Sequence, residues 1–165
     1  MSSPLLSVRG LKRHYPVRSG ILKRKTGAVR AVDGVSFDLR QGETLAIVGE
    51  SGCGKSTLAE TVIGLDEPTA GEVVFDGASL TGGVEKSFRR RVQMVFQDPF
   101  STLNERMTVG RIVAEPLVIH GEREDDRAAY VRELLETVGL DPARHYDAFP
   151  HELSGGERQR VGIAR

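Results

Sequence analysis

The stretch Gly49-Glu50-Ser51-Gly52-Cys53-Gly54-Lys55-Ser56-Thr57 constrains this chain more than any other, because it fits G-x-x-x-x-G-K-[ST], the phosphate-binding P-loop. The apolar run Thr44-Leu45-Ala46-Ile47-Val48 leads into it and predicts a buried strand, and Leu58-Ala59-Glu60-Thr61-Val62-Ile63 continues it as a helix. Strand, loop and helix in that order are the context the motif requires. Glycines let backbone N–H groups turn inward around phosphate oxygens, and the helix points the positive end of its dipole at them. In that geometry Lys55 reaches the β- and γ-phosphates, Ser56 offers its hydroxyl to Mg²⁺, and Thr57 with the neighbouring amides holds the α- and β-phosphates. The alternative is a Gly-rich strand-to-helix turn. With Gly near 7% of average usage, chance places the fixed positions together on the order of once in a hundred sequences, and the flanking elements lower that further.

Composition bounds the rest. At 165 residues, 39% hydrophobic and 28% charged, the chain has room for one soluble domain with its own core. Lys+Arg and Asp+Glu balance at 23 each, so no global field draws it to nucleic acid or to an anionic membrane. Cys53 is the only cysteine, which excludes an internal disulfide framework and a Cys-based zinc site and fits a reducing cytosol. A thiol at a helix N-terminus can have a lowered pKa, which allows a redox-switch reading; a small residue that fits the loop is preferred. No apolar run approaches the roughly 18 residues that span a bilayer, and Met1-Ser2-Ser3-Pro4 opens no charged-then-apolar export signal. The expectation is a cytosolic chain that does not itself cross a membrane.

Along the chain, Leu5 to Arg9 reads as a first strand, and Leu11 to Val17 continues extended toward Tyr15-Pro16. Arg18 to Gly27 is basic and reads as an exposed loop, either a solvated hairpin tip or a lipid or partner contact. Val29 to Val32 and Val35 to Leu39 read as short strands separated by a turn at Asp33-Gly34, which gives an antiparallel flank beside the P-loop. Tyr15, at the end of a flank strand, either stacks on adenine or is an ordinary half-buried tyrosine. Glu72 to Phe75 is a strand closed by Asp76-Gly77, and Val92 to Phe96 a buried strand stopped by Gln97-Asp98-Pro99. Ligands bind at the C-terminal ends of strands in open α/β sheets, so Gln97 either reaches Mg²⁺ or the attacking water, or is a turn residue facing solvent.

From Phe100 to Phe149 the pattern is mainly helical. Val109 to Ile119 predicts a helix interrupted at Pro116. Asp126 to Val138 predicts another, with Val131, Leu134, Leu135 and Val138 on one face and Gly139-Leu140 as its cap. Asp141-Pro142 restarts a short helix. The four histidines lack metal-ligand spacing and are assigned no metal. In Leu153-Ser154-Gly155-Gly156-Glu157-Arg158-Gln159, Ser154 and Glu157 form a capping box, and the glycines leave the first helical N–H groups uncovered. That is either a second anion site or a well-capped helix start.

With both pieces present, the chain resembles the nucleotide-binding subunits of ABC transporters, which combine a P-loop with an L-S-G-G-[QE] signature. The resemblance implies ATP and Mg²⁺ as ligands and a second ABC ATPase domain as partner, bound head to tail so that the P-loop of one and the signature of the other close on one ATP. It implies that Gly49 to Thr57 is the Walker A loop, Tyr15 the adenine-stacking aromatic, Gln97 the Q-loop glutamine, and Ser154, Gly155 and Gly156 the contact to γ-phosphate in trans. A narrower likeness, to the dipeptide/oligopeptide permease branch, rests on Tyr15-Pro16-Val17, Ala31 to Phe37, Gly49 to Thr57, Gln97-Asp98-Pro99, Leu103-Asn104, Arg106 to Gly110, Glu115-Pro116-Leu117 and Arg158-Gln159-Arg160. That branch powers import of peptides or, in some cases, nickel, with transmembrane permease subunits and an external solute-binding protein. Glu105 stands where the branch commonly has proline, and Leu153 and Glu157 stand where Phe and Gln are frequent.

The family's Walker B strand with its Mg²⁺-associated Asp and catalytic Glu, its D-loop and its switch histidine have no counterpart up to Arg165. No residue here inherits the general-base role, so the expectation is an N-terminal fragment that binds nucleotide weakly and turns over little. The fold expected is an α/β P-loop NTPase core with an antiparallel β flank and a helical insert: residues 1–97 flank and core, 98–153 insert, 154–165 the start of the signature helix. The function expected is that of an ATPase subunit of a peptide-class importer, peripheral on the cytoplasmic face of the plasma membrane, with no nucleic acid as partner. The rival readings are a soluble non-transport ABC ATPase and a non-catalytic nucleotide-binding module.

Overall fold

Val8 and Leu11 lie three residues apart on the first strand, yet both are fully buried, and the pairing register explains how. The computed structural model describes residues 3–19, 24–96 and 103–165, in two units, Met1–Gln93 and Met94–Arg165. In the first unit, β1 (Leu6–Ser19) pairs antiparallel with both β2 (Arg24–Leu39) and β3 (Ala70–Phe75), and β4 (Ala78–Ser79) completes a sheet of order β2-β1-β3-β4. Val8 faces Phe37 and Leu11 faces Val35, so β1 carries one extra residue there. This bulge turns the period of two into three, and both side chains reach the same face. The Gly10 amide that the bulge displaces donates to Ser36 Oγ at 2.8 Å.

β2 is one strand, not the two expected. Leu11 faces Val35 while Lys12 faces Asp33, so Gly34 bulges out of the ladder and does not turn the chain. A turn would need Val29–Val32 and Val35–Leu39 to pair with each other, and both pair with β1 instead. The basic segment is likewise largely strand: Arg18 pairs with Lys25 and Ser19 with Arg24, and the tip between them lies outside the described residues. The expected turn at Asp76-Gly77 is present, with φ of 49° and 80°, and closes β3 onto β4.

Helix α1 (Lys55–Val62) buries Leu58 and Val62, one turn apart, against Val8, Leu11, Val32 and Val73 of the sheet. The short α2 (Lys86–Arg91) buries Phe88 edge-on to Phe75, with ring centroids 5.2 Å apart. Arg91 lies over the Phe75 ring and pairs with Asp76 at 2.7 Å.

Two expected strands are not strands. Thr44–Val48 and Val92–Phe96 have no ladder; Leu45, Ile47, Val48, Val95 and Phe96 are exposed, Val48 to 92% and Val95 to 56%, while Val92 and Met94 are half-buried. A buried strand exists only where neighbours satisfy its N–H and C=O groups and cover its faces. Among the described residues none pairs with either run.

The second unit is helical: α3 (Val109–His120), α4 (Arg127–Thr137), α5 (Pro142–His145), a 3₁₀ turn (Pro150–Glu152) and α6 (Gly155–Ala164). Its core gathers Leu103, Val109, Ile112, Val113, Val131, Leu135, Leu140, Leu153 and Val161. Pro116 does not interrupt α3, which runs through it to His120. One lost backbone bond is offset there by a buried first half and by Val109 and Gly110 amides donating to the Ala148 and Tyr146 carbonyls at 2.8 Å each. The end of α4 takes the expected form, with Leu140 N–H bonded to Leu135 O and Gly139 N–H to Glu136 O, each at 2.9 Å. Asp141 caps α5 by accepting from the Ala143 amide at 2.9 Å.

Candidate functional site

The chain leaves the sheet at Leu39, and the P-loop, Gly49 to Thr57, leads into α1. Gly54 is the N-cap of α1 at φ 98° and ψ 7°, in the left-handed region, and no side chain caps the helix. A Cβ on Gly54 would fall inside the Ala31 carbonyl oxygen of β2, so the residue is fixed by close approach as well as by torsion. Leu58 N–H donates to Gly54 O at 2.8 Å and opens the helical ladder; the amides of Lys55, Ser56 and Thr57 precede it as the helix's unladdered donors.

Lys55 folds back over the loop. Its ammonium donates to the Gly49 carbonyl at 2.7 Å and the Glu50 carbonyl at 2.6 Å, and lies 3.6 Å from Cys53 Sγ. The first turn of α1 holds no acidic residue. Uncapped amides, a positive dipole end and an ammonium therefore converge on one exposed loop, which is an environment for an anion. The exposed Ser56 hydroxyl at the same helix start is the hard oxygen donor that Mg²⁺ prefers.

Tyr15 is held from two sides. Its hydroxyl donates to Asp66 Oδ2 at 2.5 Å, and the Arg13 guanidinium lies over the ring, 4.5 Å from its centroid. Arg13 Nε also donates to Asp66 Oδ2, at 2.7 Å. These contacts, with Tyr15 first, hold the Arg13 guanidinium above its ordinary value. Asp66 follows α1, so the cluster ties β1 to the far end of the P-loop helix. Sequence reasoning singled out Tyr15 and missed Arg13 and Asp66, because no short motif connects residues so far apart. Gln97 lies outside the described residues.

In the helical unit the capping box is formed. Glu157 Oε2 accepts from the Ser154 amide at 2.8 Å and from the Ser154 hydroxyl at 2.7 Å, while Ser154 Oγ faces the Glu157 amide at 3.4 Å. Gly155 and Gly156 are exposed at the start of α6. The Ser154 hydroxyl, then the Ser154 amide, then His145 hold the Glu157 carboxyl down at about 2. His145 is buried, at 6% exposure, with Nδ1 2.8 Å from the Asp141 carbonyl oxygen and Nε2 3.2 Å from Glu157 Oε1. No local pattern signals this contact, since His145 sits on a different helix from Glu157.

In the structure, then, a glycine-capped helix is seated on an antiparallel sheet, and a separate helical unit follows in the chain. Over 96% of its length the chain superposes on a dimeric post-hydrolysis ATP-binding cassette, MJ0796 bound to ADP and Pi, with a TM-score of 0.78 and 28% identity, covering 67% of that chain. The family model for the ABC transporter matches residues 32–165, and the chain belongs to that family. It is 51% identical to the oligopeptide transport ATP-binding protein AppF of Bacillus subtilis (strain 168) over 98% of its length and 50% of the relative's. It is 50% identical to the glutathione import ATP-binding protein GsiA of Salmonella paratyphi A, over 98% of this chain and 26% of that one. The chain thus spans half or less of these curated relatives.

Proposed function

We propose that this chain is the nucleotide-binding part of an ATPase that energises an importer of peptides or similar solutes. The observation that carries the reading is 51% identity to an oligopeptide transport ATP-binding protein across a span that includes both the P-loop and the signature. The loop geometry supports it, because Lys55, Ser56 and a helix start without a side-chain cap lie together on one exposed loop. In this reading Gly49, Glu50, Ser51, Gly52, Cys53, Gly54, Lys55, Ser56 and Thr57 enclose the phosphates and Tyr15 stacks on adenine. Mg²⁺ is held by Ser56 and Gln97. Ser154, Gly155 and Gly156 meet the γ-phosphate bound by a second ATPase domain. That domain, transmembrane permease subunits and, indirectly, a solute-binding protein are the partners.

In this reading the subunit is peripheral on the cytoplasmic face of the plasma membrane; no helix among the described residues is long and apolar enough to cross a membrane. The test uses the product of the complete reading frame. Lys55→Ala is expected to lower MgATP hydrolysis on the order of a hundredfold or more, the scale for removing a donor that stabilises developing charge. It should also abolish uptake of a labelled tripeptide by cells that depend on this gene. Hydrolysis unaffected by Lys55→Ala would refute the nucleotide site; hydrolysis without peptide-dependent uptake would refute the importer.

A further inference from the structure

Glu157 places a carboxylate in the first turn of α6, the helix whose exposed start carries Ser154, Gly155 and Gly156. Such a charge suits the helix dipole but repels an incoming anion. The side chain spends one oxygen on the Ser154 amide and hydroxyl, and its other oxygen faces His145 Nε2 at 3.2 Å. His145 Nδ1 faces the Asp141 carbonyl at 2.8 Å. Oxygen atoms thus face both ring nitrogens, and an N–H at Nε2 donates to Glu157 Oε1. Ring and carboxylate are both shielded, with side-chain exposures of 8% and 17%, so water competes for this contact less than for one on the surface.

We propose that His145 is a positioning residue for the signature: it holds Glu157 against Ser154 by engaging the carboxylate's second oxygen, so that a glutamate in the place where glutamine is frequent does not turn toward the phosphate the signature receives. The proposal rests on the reading of Ser154 to Gly156 as a γ-phosphate contact. Arg144, on the same short helix as His145, also lowers the Glu157 carboxyl, but more weakly than His145 does. The direct contact is the imidazole's.

The test is a double-mutant cycle on ATP hydrolysis by the complete gene product, with kcat/KM measured for wild type, Ser154→Ala, His145→Gln, Glu157→Gln and the double variant. In the wild-type background His145→Gln is expected to lower kcat/KM roughly three- to tenfold, the effect of a carboxylate released toward the incoming phosphate. In the Glu157→Gln background the same change is expected to cost less than about twofold, because no carboxylate is left to hold back. Equal losses in both backgrounds would mean that His145 only packs, and would overturn the proposal. A loss at Ser154→Ala with full activity at His145→Gln would overturn it while leaving the signature reading intact. Silence at Ser154→Ala would overturn the signature reading and the proposal with it. Should His145→Gln alone fail to fold, the double variant decides: kcat/KM near that of Glu157→Gln supports the proposal, and a several-fold deficit rejects it.

Discussion

Gly54→Ala separates two reasons for a glycine in the P-loop. At φ 98° an alanine is strained, and its Cβ would also enter the Ala31 carbonyl of β2. Gly52 is the internal control, since at φ 81° it carries comparable torsional strain, while a Cβ there would meet nothing within 4 Å. Left-handed strain costs about 1–2 kcal/mol per residue, and forcing a methyl into a packed contact adds about 1–3 kcal/mol. The restriction of the unfolded chain that alanine brings, about 0.4–1 kcal/mol in the opposite direction, applies to both variants and cancels in their difference. Gly54→Ala is therefore expected to be less stable than Gly52→Ala by about 1–3 kcal/mol, read from urea unfolding of each. Because relief of the clash moves the start of α1 off β2, Gly54→Ala should also lose more affinity for a fluorescent ATP analogue than Gly52→Ala does. Stabilities equal within about 0.5 kcal/mol would refute the idea that the Ala31 carbonyl pins the loop.

Two further outcomes follow from the helical unit. Leu135→Ala, at a fully buried position of α4, is expected to cost about 2–5 kcal/mol, whereas Val118→Ala, 56% exposed on α3, should stay within about 0.5 kcal/mol in the same urea titration. Glu157, whose folded carboxyl lies at about 2 against an ordinary 4.5, contributes stability that is complete above about pH 4.5 and is lost as pH falls toward 2. Unfolding midpoints measured across that window should fall more steeply for the wild type than for Glu157→Gln; parallel slopes would refute the assignment.

What could be read from the sequence was what neighbouring residues decide among themselves. Ser154 with Glu157, Asp141 with Pro142, and Gly139 after α4 each set a helix end through bonds within a few residues, and each formed as expected. Asp33-Gly34 shows the limit: its residues suit a turn or a bulge, and the choice was made by β1, which pairs on both sides of it. Thr44–Val48 and Val92–Phe96 have strand chemistry, but strand state belongs to a ladder, and no partner lies among the described residues. The candidate site divides in the same way. The loop Gly49 to Thr57 announces itself through spacing, whereas the Arg13–Tyr15–Asp66 cluster and the His145–Glu157 contact join separate elements and carry no local pattern.

The long bulged hairpin also bears on the order in which the molecule takes shape. Leu6 must find Phe75 across all of β2 and α1 before the sheet can close, so that part of the chain waits on distant encounters. From Leu103 to Val161 the core joins helices that follow one another in the chain, and the end of α4 and the starts of α5 and α6 are fixed by residues a few positions away. The helical unit should therefore condense first, with the helix that carries Ser154 already nucleated by its own cap while the sheet beneath the P-loop is still assembling.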